Sequence, residues 1–87
     1  MFSEIINTSN LPTLDLHGEI CDIARVLIND FISDNIKEKN KVIVIIHGKG
    51  SGKIKKITHE VLRENRSVLE YKTSYFNDGM TLVKLNI

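Results

Sequence analysis

The stretch Lys41-Val-Ile-Val-Ile-Ile46 constrains this chain more than any other. Residues 42–46 are all β-branched, with no polar position between them. Branched side chains lose rotamers against the preceding turn of a helix, so the run disfavours helix. A strand with one wet face would alternate, and this one does not. It reads as a strand covered on both faces, in the interior of a sheet. That strand needs partners on either edge and apolar cover, all from 87 residues, which is enough for one domain. The composition agrees: 41% apolar and 26% charged is a globular, soluble balance.

The partners can be found by period. Thr13-Leu14-Asp15-Leu16-His17 alternates and is stopped by Gly18, so it reads as a strand with Leu14 and Leu16 on one side and Asp15 and His17 on the other. From Asp22 to about Lys39 the period lengthens. Cys21, Ala24, Leu27, Ile28 and Phe31 recur at helical spacing, with Val26 and Ile32 widening the stripe. Asp22 suits the positive end of the helix dipole, and Lys37 and Lys39 the negative end. A second helix spans about Gly52 to Glu64, with Ile54, Ile57, Val61 and Leu62 on its apolar side. Lys55, His59 and Arg63 stack in a row on its other face. Val68 to Tyr75 and Thr81 to Ile87 alternate as strands around Asn77-Asp78-Gly79, which is hairpin turn chemistry. The order is β-α-β-α-β-β, a two-layer α/β domain with a four-stranded mixed sheet. Residues 13–87 form that domain. Residues 1–12, which include Phe2, Ile5 and Ile6, lack a period and read as a flexible arm.

Parallel strands joined by a crossover helix end on the same edge of the sheet, and that edge is where open α/β sheets bind ligands. Here it receives Asp15 and His17 from the first strand and His47-Gly-Lys-Gly-Ser-Gly-Lys53 from the second. Gly48, Gly50 and Gly52 let a ligand approach the main chain. Their amides, with Ser51 and the start of the next helix, make an anion site, and Lys49 and Lys53 add charge. A phosphate is the natural guest. The loop is neither a P-loop, since only three residues separate Gly48 from Gly52-Lys53 and Ile54 follows, nor a dinucleotide fingerprint, since Lys53 stands where its last glycine belongs. Asp15, His17 and His47 beside such a loop suit phosphodiester cleavage, with histidine as base or acid and a carboxylate to orient it. A divalent metal, Mg or Mn, on Asp15 and a histidine is a minor alternative because the donors are few.

The net charge of +1 conceals an asymmetry. Residues 1–36 carry six acids and one base, and residues 37–66 carry nine bases and three acids. Lys39 to His59 holds six lysines and no acid. The basic middle implies an anionic partner, and Lys55, Lys56, His59 and Arg63 extend the phosphate-binding surface along the second helix. Tyr71, Tyr75 and Phe76 are candidates for stacking on bases, although Tyr71 and Tyr75 fit core packing equally well. The single Cys21 makes no internal disulfide and reads as a small buried hydrophobe. No apolar run approaches the roughly 20 residues of a membrane helix, and no signal-peptide pattern opens the chain, so a cytoplasmic location is expected.

Leu14-Asp15-Leu16-His17-Gly18, followed thirty residues after its histidine by His47-Gly48-Lys49-Gly50, resembles the Smr (small MutS-related) domain over nearly the whole chain, from about Leu11 to Ile87. The resemblance implies a fold like the C-terminal domain of translation initiation factor three, and nicking or cleavage of DNA or RNA. It assigns functional roles to Asp15, His17, His47, Gly48 and Gly50. Either a stand-alone Smr protein or the C-terminal domain of a longer mismatch-repair-related protein fits this length. The expected activity is an endonuclease. The alternative is a non-catalytic module binding branched DNA, structured RNA or ribosomes.

Overall fold

The β-branched run is an interior strand, as its composition requires. In the computed structural model, which describes residues 10–75 and 77–87, it forms β2 (Val42–Ile46). Its neighbours are β1 (Thr13–Asp15), which pairs with it in parallel, and β4 (Met80–Leu85), which pairs antiparallel. The fourth strand, β3 (Val68–Thr73), pairs antiparallel with the outer side of β4, so the sheet order is β1-β2-β4-β3. A register shift between Val68 and Glu70 interrupts that last ladder. Two crossover helices link the strands, α1 (Cys21–Lys37) between β1 and β2, and α2 (Lys53–Glu64) between β2 and β3. The crossovers make β1, β2 and β3 run one way. The last strand reverses and enters between β2 and β3.

The alternation of strand side chains divides the sheet into two apolar faces. Leu16, Ile43, Ile45, Val83 and Leu85 meet Ala24, Ile28 and Ile32 of α1 and Val61 and Leu62 of α2, all buried. Each of these side chains other than Ala24 contributes about 1.5–3 kcal/mol by leaving water. The opposite face holds a smaller cluster, Val44 and Leu82, with Leu11, Val42, Ile46 and Met80 packed around it.

Several boundaries differ from the sequence expectation, each for a local reason. The β1 ladder stops at Asp15, and His17 lies beyond it, because Asp15 folds back onto the His17 amide. α1 buries Ala24, Ile28, Ile32 and Asn35, a stripe spaced by four, four and three residues. Val26 falls off that stripe and is 57% exposed, so it does not widen the core. The helix stops before Lys39, which adopts a left-handed φ of 62°. Asn40 N–H then bonds the Asn35 carbonyl and Lys39 N–H the Ile36 carbonyl, a Schellman closure made with lysine where glycine is usual. Both hairpin strands are shorter than the alternating pattern suggested, and Tyr75 lies past the end of β3.

Candidate functional site

Asp15 and His17 form a closed pair at the end of β1. One carboxylate oxygen, Oδ1, accepts the His17 backbone N–H at 3.0 Å and stands 2.8 Å from the His17 ring Nδ1. The carboxylate therefore fixes the tautomer with the proton on Nδ1 and leaves Nε2 as the ring's basic atom. Both side chains are exposed, 51% and 74% respectively. The hydrogen bond between them raises the His17 pKa above 6.5 and lowers that of Asp15 below 3.8.

His47 continues the alternation of Ile43 and Ile45 and so turns towards the helices, where it is buried. Its Nε2 lies 2.8 Å from the Thr81 hydroxyl of β4. The Thr81 hydroxyl also lies 2.7 Å from Nε2 of His59 on α2. His47 Nδ1 faces the Gly48 carbonyl at 3.2 Å. A carbonyl only accepts, so Nδ1 carries the proton and Nε2 accepts from the Thr81 hydroxyl. Thr81 has a single proton to give, so its oxygen accepts from His59 Nε2–H. The network thereby assigns both tautomers. Burial pushes the pKa of both rings below 6.5. Lys55 lowers both further, and His47 and Arg63 also lower His59. His59 stacks edge-on to His47 at 5.9 Å and tilts against Tyr71 at 5.1 Å.

The glycine loop is held against the hairpin. The backbone N–H groups of His47 and Gly48 both donate to the Gly79 carbonyl at 2.9 Å. A Cβ at Gly79 would stand 3.1 Å from Asn77 Oδ1, 3.3 Å from Lys49 Cγ and 3.4 Å from the Gly48 carbonyl carbon, so a larger residue there would have to push the Asn77 and Lys49 side chains aside. Gly48 has a φ of +78°, and a Cβ there would meet His17 Cβ at 3.3 Å. The two motifs are thus in contact. Lys49 pairs with Asp78 across the same junction at 3.5 Å, both groups largely exposed, and such a pair adds little stability.

The expected site residues divide between two depressions. His17, His47, Gly48, Lys49, Gly50, Ser51, Gly52 and Lys53 line an open cleft of about 610 Å³ between the β1–α1 and β2–α2 loops. Lys55, Lys56, His59 and Arg63 line a separate groove of about 360 Å³ along α2, which meets the cleft at Gly52. Asp15 stands outside the lining, bonded to His17. Gly52 caps α2 with a φ of 84°, so the helix N-terminus opens at the cleft.

Some expectations need correction. His59 shares the groove with Lys55 and Arg63, but its ring is half-buried and committed to Thr81 instead of standing free on the helix face. Cys21 is a half-buried free thiol at the start of α1, lining the cleft, and is not a core hydrophobe. Tyr71 packs on the core and His59, while Tyr75 is 82% exposed. Phe76 and the arm residues Phe2, Ile5 and Ile6 lie outside the described residues. Sequence reasoning missed Thr81 and Gly79. Gly79 was visible as turn chemistry, whereas a threonine alternating within β4 carries no local signal of the two histidines it joins.

The fold is a four-stranded α/β domain whose sheet edge presents a carboxylate–histidine pair beside a glycine-rich, lysine-bearing helix start. Comparison with known proteins gives the family: residues 14–86 match the Smr domain, and the chain belongs to that family. It is 35% identical over 68 residues to Endonuclease MutS2 of Halothermothrix orenii, covering 78% of this chain and 9% of that one. It is 36% identical over 72 residues to Endonuclease MutS2 of a Geobacillus strain, covering 83% and 9%. The chain therefore spans about a tenth of the length of these relatives. Its fold matches the crystal structure of the Smr domain of Thermus thermophilus MutS2 with a TM-score of 0.85 at 21% identity, over 88% of this chain and all of that one. It also matches YdaL, a stand-alone small MutS-related protein of Escherichia coli, with a TM-score of 0.75 at 24% identity, over 86% and 64%. Among the described residues no helix is long and apolar enough to cross a membrane.

Proposed function

We propose that this domain is a nucleic-acid endonuclease that cleaves phosphodiester bonds in DNA or RNA. One observation carries the reading: the Asp15–His17 pair adjoins the glycine loop, with His17 on the wall of the cleft that Lys49 and Lys53 also line. In the proposed reaction a substrate phosphate sits against the loop amides and the start of α2. His17 Nε2, its tautomer set by Asp15, takes the proton from the attacking oxygen, and the leaving oxygen, on the opposite side of the phosphorus, takes its proton from water as the P–O bond breaks. Lys49, Lys53 and the loop N–H groups stabilise the charge that develops on the phosphoryl oxygens. His47 has both ring nitrogens engaged inside the protein, at Gly48 and Thr81, so its part in this scheme is to hold the loop. The groove bearing Lys55, Lys56 and Arg63 tracks the flanking backbone.

A divalent ion, Mg or Mn, would find few donors here. Asp15 Oδ1 is already engaged twice by His17, and no group of three or more His, Cys, Asp or Glu converges among the described residues. Labelled single-stranded RNA, duplex DNA and branched DNA are incubated with the wild-type chain and with His17→Ala, with and without EDTA. Cleavage that disappears in His17→Ala supports the proposal, and the EDTA lanes report on a metal. Equal products from the two proteins would sink it and leave a binding module for branched DNA, structured RNA or ribosomes as the function.

A further inference from the structure

Thr81 and His59 lie outside both family motifs, yet their side chains complete a continuous hydrogen-bonded chain to the glycine loop. The order is His59 Nε2–H to Thr81 oxygen at 2.7 Å, Thr81 hydroxyl to His47 Nε2 at 2.8 Å, and His47 Nδ1–H to the Gly48 carbonyl at 3.2 Å. Thr81 is 0% exposed, so no water can replace a missing partner. The direction of the chain is fixed by its last acceptor. The Gly48 carbonyl is held inward, at the His47 ring. In a planar trans peptide the carbonyl and the following N–H point opposite ways. Holding that carbonyl therefore turns the Lys49 N–H away from the ring, out of the protein, where Lys49 lines the cleft. The Gly48 φ of +78° and its N–H bond to Gly79 fix the other side of the same residue.

We propose that Thr81 and His59 are positioning residues, which act through His47 to hold the Gly48–Lys49 peptide so that the Lys49 backbone N–H becomes an anion donor of the cleft. The proposal rests on the phosphate-site reading above and adds to it the donor atom and the two residues that aim it. The same chain opposes a second proton on His47, in the direction in which burial already lowers its pKa. A proton on its Nε2 would have to point at Thr81, and the Thr81 hydroxyl would then have to turn to His59 Nε2, which reverses the chain and the His59 tautomer. The charged groups around the two rings are Lys55 and Arg63 of α2 and Asp78 of the hairpin, and Tyr71 of β3 packs on His59. Two of these three charges are cations, which act in the same direction.

The test uses the full chain with labelled histidines and backbone. Long-range proton–nitrogen spectra read which ring nitrogen carries the proton, and a titration with inorganic phosphate follows the Lys49 amide. The wild type should show His47 protonated on Nδ1, His59 on Nε2, and a Lys49 amide that moves with phosphate. Thr81→Val, which keeps the shape and removes the hydroxyl, should scramble the His47 tautomer and weaken phosphate binding by about tenfold, the effect of losing roughly one hydrogen bond to a charged group. Thr81→Ser should restore both readouts, which a purely steric role for the methyl group would not predict. Should Thr81→Val disturb folding, His59→Gln, whose amide can still donate to Thr81, should keep the His47 tautomer. A wild-type His47 protonated on Nε2 would overturn the proposal, as would a Thr81→Val protein with unchanged tautomer and phosphate affinity. If phosphate leaves the Lys49 amide unmoved while cleavage still depends on His17, this inference fails and the endonuclease stands. If the amide responds as expected and no substrate is cut, the endonuclease fails and this inference stands.

Discussion

Replacing Gly48 by alanine probes the contact between the two motifs, and the fold supplies its own controls. Gly18, Gly48 and Gly52 all have left-handed φ, at 78°, 78° and 84°. An alanine at any of them carries the backbone penalty of that region, about 1–2 kcal/mol. At Gly18 and Gly52 the added Cβ meets nothing within 4 Å. At Gly48 it stands 3.3 Å from His17 Cβ, an atom fixed by the backbone and unable to swing aside. Relieving that clash moves one motif relative to the other and adds about 1 kcal/mol, at the low end of overpacking costs. Gly48→Ala should therefore lose about 2–3 kcal/mol, against about 1–2 for each control. In a domain of this size each kcal/mol lowers the melting temperature by roughly 4–8 °C. Parallel thermal and urea melts of the three variants give the stability ranking, and the His17 ring resonances report its displacement. If Gly48→Ala melts no lower than both controls, or leaves the His17 resonances unmoved, the two motifs do not touch as described.

Other expectations follow from the same geometry. Lys39→Gly relieves a left-handed lysine at the end of α1 and should stabilise the protein by about 1 kcal/mol in urea unfolding. His47 and His59 have folded pKa values lowered by burial, so the unfolded chain binds protons that the folded one does not. Their stabilising contribution is complete above 6.5 and falls away as pH drops through 6.5 towards the lowered values. His17 has the opposite sign, its contribution being present below 6.5 and lost as pH rises through its raised value, but solvent screens that exposed pair. The urea midpoint should therefore be lower near roughly pH 5.5 than near about pH 7.5, with a flatter profile in His59→Gln. Lys55→Glu should weaken nucleic-acid binding. It should also reduce the slope of log affinity against log salt by about 0.7–0.9 for each phosphate that Lys55 neutralises, as measured by fluorescence anisotropy over a salt series. An unchanged slope would remove Lys55 from the binding surface.

Much of this was written in local pattern. Alternation placed Leu14 and Leu16 inward and Asp15 and His17 outward, because neighbouring strand positions face opposite ways. The β-branched run became the interior strand β2 because it leaves no polar face for water. One crossover helix between β1 and β2 makes them parallel, which delivers both motifs to one edge before any contact is known. The glycines and lysines of residues 48–53 all line the cleft there.

What local pattern could not decide was the order of the strands and the protonation of the histidines. Period tells which side of a strand is buried, while pairing between distant segments depends on the whole packing. The last strand enters between β2 and β3, and this carries Gly79 and Thr81 beneath the glycine loop. Thr81 lies 34 residues from His47 and 22 from His59, so no motif could announce the bridge between them. The sequence by itself determined that two histidines, a carboxylate and a phosphate-type loop would share an edge. Only the tertiary structure left one histidine exposed and bonded to Asp15 and turned the other inward between Thr81 and the Gly48 carbonyl, because a ring's partners are set by its neighbours in space.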